Sequence, residues 1–470
     1  QRSVLETPSG LAGDAVFALL EDAEGNLWVG TESRGLHRLK DGLFSPYGRP
    51  EGVPHDMMAA LHESHDGSLW FATLGGGLTR LKDGEMTHWT TREGLPSNRV
   101  LSIAEARDGG LWLGTQRGVS RWRAGKITRS LGEAEGLHGG VRTVHEDEQG
   151  TLWAGTHLGL ARWNGKRFEL LSPRDGWPGA SITVLHPRAA GGFWVGHGNG
   201  GLGSVQAGRL VPLASGEKPL AGSILTIHEE ADGTLWIGST TGLFRWKAGR
   251  LARFTRAEGL FDDMILQAMP DGRGNLWVGC NKGIFRVSLE ELEAVAEGRL
   301  ARVRSRLFGT DDGMRSPECN AVGWPSGLRT RDGRLWFPTI RGAVAYDPEH
   351  EAAPVASPPP VLLEEVRVDG RTVPASQWSH IPPGAERVEI HYTSPSLGAP
   401  QRLRFRYQLE GLDKDWVEAG PEQRKADYTH LPPGDYRFRV MALSTEDGQT
   451  TPIAELRLQQ RPRFHETLLF

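Results

Sequence analysis

The sequence is short of several things, and each shortage excludes something. Two cysteines, Cys280 and Cys319, are too few for a disulfide scaffold. No apolar run approaches the roughly 18 residues that a membrane-spanning helix needs. Positive charge is not in excess: 54 Lys and Arg stand against 58 Asp and Glu, so nothing electrostatic favours nucleic acid. The start, "QRSVLETPSG", lacks an initiator Met and the apolar core of a signal peptide, and reads as a mature or trimmed terminus.

What is plentiful points to many short strands. The 62 Gly and 29 Pro follow no collagen period, so they mark turns. The 16 Trp against 6 Tyr suggest one aromatic packing position used repeatedly. At 470 residues, 38% hydrophobic and 24% charged, the chain is globular material for two or three domains.

The tryptophans are periodic. "GNLWVGT" (25–31) is followed by "GSLWFAT", "GGLWLGT", "GTLWAGT", "GGFWVGH", "GTLWIGS", "GNLWVGC" and "GRLWFPT" (333–339). Their centres are Trp28, Trp70, Trp112, Trp153, Trp194, Trp236, Trp277 and Trp336, spaced 42, 42, 41, 41, 42, 41 and 59 residues apart. A period near 41 with one aromatic signature predicts a β-propeller with one four-stranded blade per repeat. Repeat three shows the strands: "RVLSIAEA", "LWLGT", "GVSRWRA" and "KITRSL" (126–131). The glycine two residues after most of these tryptophans keeps the second strand thin where blades approach each other. Each Trp is read as core, because burying ~200 Å² of ring is worth up to ~5 kcal/mol.

A second mark, "EGVP" (51–54), "EGLP" (93–96) and their kin, separates the repeats. Eight repeats predict eight blades, with seven and one displaced repeat as the second choice. Repeat eight has three strands before proline intervenes. The stretch "SVLETPSGLAGD" (3–14) resembles a repeat's tail, so the N-terminal strand is expected to close the ring. The long gap holds a short helix at 288–298, with a Ser cap and acidic early residues.

The propeller is assigned to 1–348 and a Pro/Ala linker to 349–360. Alternating strands over 361–462, such as Leu403, Phe405 and Tyr407 against Arg402, Arg404 and Arg406, predict an immunoglobulin- or fibronectin-like β-sandwich. Residues 463–470 would begin a juxtamembrane segment.

These residues carry a resemblance. The repeats are similar to the two-component regulator propeller (Reg_prop) pattern D-x-x-G-x-L-W-x-G-T-x-x-G-L, which repeat one fits at Asp22, Gly25, Leu27, Trp28, Gly30, Thr31, Gly35 and Leu36. The C-terminal domain resembles the triple-tyrosine (Y_Y_Y) domain, with Tyr407, Tyr428 and Tyr436 as its candidate tyrosines. The resemblance implies a periplasmic or extracytoplasmic sensor region of a bacterial signalling protein. A membrane segment would lie beyond Phe470, followed by a histidine kinase, diguanylate cyclase or similar output.

Other motifs weigh less. "GHGNGG" (196–201) matches a dinucleotide fingerprint but joins two strands. His62, His145, His186 and His228 each lie eight residues before a Trp and are read as core histidines rather than metal ligands. "HESH" (62–65) is not a zinc motif. No catalytic residue, metal or cofactor is assigned.

Ligand recognition is expected where loops after strands two and four of each blade share one face. The candidates after strand two are Arg34, Arg117, His157, His197, Asn199, Asn281 and Arg341. In the linking loops they are His55, Asn98, Arg142 and Asn320, with Arg99, His138 and Asp262 beside them. The Arg and Asn content favours a polar or anionic ligand such as an oligosaccharide. The expected reading is a non-enzymatic sensor, with a homodimer through the C-terminal domain. A propeller polysaccharide lyase or hydrolase and a protein-interaction scaffold are the alternatives.

Overall fold

The computed structural model describes residues 15–22, 25–33, 35–39, 42–171, 181–213, 220–350, 359–396, 403–444 and 450–462. The chain divides into two compact units, Asp41–Glu351 and Gln1–Lys40 together with Ala352–Phe470.

Asp41–Glu351 contains seven four-stranded antiparallel sheets in propeller arrangement. Their first, innermost strands are Met58–Glu63, Val100–Glu105, Val141–Glu146, Ile182–Pro187, Ile224–Glu229, Gln267–Pro270 and Leu328–Arg329. They define blades I to VII. Each inner strand from I to VI packs on the next, VI and VII share a hydrophobic core, and VII packs back on I. The expectation of eight blades is thereby corrected to the second choice, seven.

The physical reason lies in repeat one. Its first three strands, Val16–Glu21, Leu27–Thr31 and Gly35–Leu39, form a separate three-stranded sheet. Its fourth, Phe44–Tyr47, pairs instead with Gly342–Tyr346 and becomes the outer strand of blade VII. The aromatic side chains set that choice. Phe44 is buried against Trp277, Phe308 and Tyr346, and Tyr47 packs on Trp336 with 4.8 Å between centroids. Ring closure by an N-terminal strand is therefore corrected in position. The strand is 44–47, and 3–14 lies outside the described residues.

The separate sheet keeps the sequence of a ring blade without its burial. Leu19 is 64% exposed, whereas Leu61, its equivalent in blade I, is fully buried. The glycine after the Trp shows what differs. A Cβ on Gly155, Gly196 or Gly238 would fall 2.7–2.8 Å from an isoleucine of the next blade, at or just before its inner strand: Ile182, Ile224 and Ile265 respectively. A Cβ on Gly30 would meet only Ala18 of its own sheet, at 3.5 Å.

The separating mark "EGL" is a one-turn 3-10 helix. In Thr91–Glu93 the Glu93 carboxylate accepts the Thr90 amide at 2.7 Å, and Thr90 Oγ1 accepts the Arg92 amide. Gly94 then takes φ +100°, which a side chain would strain, and Leu95 is buried.

The tryptophans are anchored as well as packed. Six of the eight are buried, and Trp28 and Trp112 are half-buried. In five of the eight, the residue six before the Trp takes the indole N–H: Asp22, Ser64, Asp147, Glu230 and Asp271, at 2.7–3.1 Å. The Thr330 hydroxyl is turned to Asp332 instead, and Trp336 Nε1 has no partner among the described residues. Ala106 and Arg188 cannot accept, so Trp112 and Trp194 reach Glu146 and Glu229 on the inner strand of the next blade. The same glutamate position also receives amides across blades. His65 donates to Glu105, Ala189 to Glu229 and Arg331 to Glu63.

The last linking segment takes an unusual course. Residues 319–326, which lead from blade VI into blade VII, run along the inner edges of blades I and II. Asn320 Nδ2 donates to the Met58 carbonyl at 2.7 Å, and Arg142 Nη2 to the Ala321 carbonyl at 2.9 Å. Trp324 donates its amide to Leu101, and its carbonyl accepts from Ile103; the Pro325 carbonyl accepts from Leu61. Gln267 Nε2 donates to the Asn320 carbonyl. The Trp324 ring turns the other way, into a core with Val184, Trp194 and Ile227. The segment thus satisfies backbone groups on the open inner edges of blades I and II, and its side chain packs on IV and V.

In the C-terminal region, Leu362–Val368, Arg371–Val373, Arg387–Thr393 and Lys425–Thr429 form one sheet. His380–Ile381, Leu403–Glu410, Val417–Ala419, Gly434–Ser444 and Ala454–Gln460 form the other. Their inner faces share one core that includes Val366, Ile390, Tyr392, Phe405, Phe438 and Val440. Tyr436 Oη donates to the Pro432 carbonyl at 2.8 Å, locking the turn ahead of its strand in the manner of a tyrosine corner. Tyr428 Oη donates to Asp413, and its ring meets Tyr407 edge-on at 6.5 Å.

Candidate functional site

Blades I, II, IV and V each bring two loops to one face by the same bond. The amide just after the second strand donates to the carbonyl just before the first strand: Leu74 to Met57, Gln116 to Arg99, Gly198 to Ser181 and Thr240 to Ser223. These bonds, 2.8–3.1 Å long, lay the loop between strands two and three beside the loop that enters the blade.

The candidate side chains on this face sort into three groups. Arg117, His157, Asn199, Asn281 and Arg341 are exposed on loops after second strands, as are Arg99 and His138 in linking loops. Of these, Asn199 accepts the Gly201 amide and Asn281 Nδ2 contacts Met264 Sδ. Arg34 lies outside the described residues.

The second group is spent on local structure. Asn98 Oδ1 accepts the Thr91 amide at 2.7 Å, a brace that Asp56 and Asp263 repeat on Arg49 and Arg256. His55 accepts the Met57 amide on Nδ1 and presses on Gly75, where a Cβ would fall 2.8 Å from its ring. His197 ends the second strand of blade IV and is buried, and burial lowers its pKa to about 4.

The third group, Arg142 and Asn320, converges on the axis. Asn320 is buried, donates to Met58 and accepts the Val322 amide. Arg142 is the second residue of the inner strand of blade III and holds Ala321. Val322, between these contacts, stays 40% exposed at the loop end of the axis.

At the other ends of the inner strands sit the four histidines. Burial lowers the pKa of His145 and His228 to about 4 and of His186 to about 3, and lowers that of His62. They are neutral near pH 7 and packed: His145 on Phe193 at 4.9 Å, His186 edge-on to Trp324 at 6.0 Å. Among the described residues, no group of three or more His, Cys, Asp or Glu is placed to hold a metal. Both cysteines are free and buried. Cys280 belongs to the core with Ile265 and Val278, and Cys319 to the core with Trp277 and Phe308, on the other side of the strand Asn275–Cys280.

Sequence reading missed the axial segment and the indole anchors. A signal for the anchors was present in the columns six and seven residues before each Trp.

Comparison with known proteins places this architecture. A search of curated proteins finds no match. The fold is similar to the extracellular domain of BT3049 from B. thetaiotaomicron, described as a hybrid two component system. The TM-score is 0.81 at 21% identity, over 97% of this chain and 63% of that one. It is also similar to the extracellular domain of BT4673 from the same organism, at TM-score 0.53 and 19% identity, over 98% of this chain and 64% of that one. The chain thus spans less than two thirds of either. A streptogramin B lyase shares the fold at TM-score 0.50 and 14% identity, over 64% of this chain and 96% of that one. The pattern of the two component regulator propeller matches residues 10–33 and 94–117, and that of the Y_Y_Y domain matches 396–459. The chain therefore carries segments that match two-component-regulator propeller repeats and, C-terminal to them, a segment that matches the Y_Y_Y domain.

Proposed function

We propose that this chain is the extracytoplasmic, ligand-sensing input region of a membrane-bound bacterial signalling protein, and that it is not an enzyme. The observation that carries the reading is the shared loop face. Its loops present the exposed side chains Arg117, His157, Asn199, Asn281 and Arg341, while the repeat itself is consumed in packing. Likeness to extracellular domains described as parts of two-component systems supports the same reading. The ligand is a carbohydrate or another polar molecule, recognised through Arg117, His157, Asn199, Asn281 and Arg341. The output is a histidine kinase, a diguanylate cyclase or a similar domain beyond Phe470, joined through a membrane segment, and the C-terminal domain mediates a homodimer.

The test is a thermal-shift screen of glycans and metabolites, followed by output activity of the full-length protein with any stabiliser. The reading expects a stabiliser that also changes output, and loss of both when Arg117 and His157 become alanine. A compound that is turned over by the purified chain would instead establish an enzyme.

A further inference from the structure

Eleven residues before the blade tryptophans, the inner strands carry one ring of positions near the loop end of the axis. In blades I, II, IV, V and VI these are Ala59, Leu101, Thr183, Leu225 and Leu266. Ala59, Leu101 and Leu266 are buried, and the Thr183 hydroxyl is spent on the Gly196 carbonyl. Blade III has Arg142. It is the one charge in that ring, and nothing in the repeat calls for it.

Among the described residues nothing compensates this charge. Nη2 donates to the Ala321 carbonyl at 2.9 Å, and Nε is buried without a partner. Among the described residues no carboxylate pairs with it. Burial alone acts on the guanidinium, lowering its pKa with no neighbouring charge to offset the effect. Desolvating a cation without a counter-charge is costly, and a carbonyl recovers only part of that cost. Holding the axial segment does not require a charge, since Asn320 and Gln267 make equivalent bonds with neutral amides. Arg117 and His157, on loops of blades II and III of the same face, are exposed.

We propose that Arg142 is the counter-charge for an oxyanion, a carboxylate or sulfate group carried by the ligand, bound at the centre of the loop face beside Val322. This rests on the loop-face reading above and narrows its ligand class. The guanidinium is held at Nη2 by Ala321, which orients the fork, and an incoming oxyanion supplies the missing charge-assisted bonds.

The experiment is calorimetric titration of the 470-residue chain with trigalacturonate, neutral galactotriose and sodium sulfate, at low and high salt. The expected result is trigalacturonate or sulfate binding at least about tenfold tighter than galactotriose, weakening as salt rises. Arg142→Gln should lose at least about tenfold in that affinity, and Arg142→Lys, which keeps charge without the fork, should fall between. Equal affinity of folded Arg142→Gln for the acidic probe overturns the proposal. So does galactotriose binding equally well, although that result keeps a loop-face sensor. Absence of salt-sensitive binding by either oxyanion also overturns it. If Arg142→Gln fails to fold, the salt dependence of the unmodified chain and the Arg142→Lys variant decide. Failure of the sensor reading shows separately, as an unchanged output of the full-length protein with a bound ligand.

Discussion

The indole N–H of Trp112 donates to the Glu146 carboxylate at 2.7 Å, across the gap between blades II and III. Trp153, one repeat later, keeps the same bond inside its own blade, on Asp147. The difference is one residue: Ala106 occupies in blade II the place of Asp147 in blade III. Glu146→Ala should therefore destabilise the propeller by about 1–3 kcal/mol, since it orphans a partly buried donor. Adding Ala106→Asp should restore part of that loss. Denaturant unfolding of the two single variants and the double variant measures the coupling, and additive losses would refute the exchange of acceptors.

Identical repeat positions should respond unequally. Leu61→Ala removes a fully buried side chain and should cost about 2–5 kcal/mol. Leu19→Ala, at the equivalent position of the separate sheet, should change stability by no more than about 0.5 kcal/mol, because the residue is 64% exposed. Melting temperatures of the two variants of this chain check the contrast. A matching loss at Leu19 would mean that the sheet is covered.

Trp324→Ala should cost about 3–5 kcal/mol, comparable with loss of a blade tryptophan. The ring fills the core between blades IV and V while its backbone closes the inner edge of blade II. Trp324→Phe should retain most of the stability. Chemical denaturation reads both variants, and a silent Trp324→Ala would show that the axial segment is dispensable.

Acid should weaken the ring before it protonates most carboxylates. His145, His186 and His228 have folded pKa values lowered by burial to about 4, 3 and 4, against about 6.5 in the unfolded chain. The unfolded state thus binds more protons between those values. The neutral form's contribution is complete above pH ~6.5 and is lost as pH falls toward 4, by up to about 1.4 kcal/mol per pH unit for each histidine. Unfolding free energy measured from pH 7 to pH 4 should show this slope, and His186→Gln should flatten it. A flat profile over that range would contradict neutral burial.

Legibility followed range along the chain. The Trp column, the thin glycine beside it and the "EGL" turns were readable because each is set by contacts within a few residues or by one repeated neighbour. The sandwich strands were readable from alternation, as in Leu403, Phe405 and Tyr407. Blade count was not. Whether Phe44–Tyr47 stays with repeat one or crosses to Gly342–Tyr346 depends on Trp277, Phe308, Trp336 and Tyr346, more than 230 residues away. Site residues divided likewise. Arg117 and His157 stand on the loops where repeat position put them. Asn98 proved a brace, His197 is buried, and Asn320 and Arg142 serve the axis.

By itself the sequence determined the blade, because strand length, turn glycine and packing Trp recur every 41 or 42 residues up to Trp277, and again at Trp336 after an insertion, and need only a like neighbour. Tertiary structure alone decided how many blades close, which strand closes them and what occupies the axis. Those outcomes are settled by competition among distant partners for the same open edges and the same buried space. The free edge of the inner strand Val100–Glu105 accepts Trp324 only once the ring has brought them together.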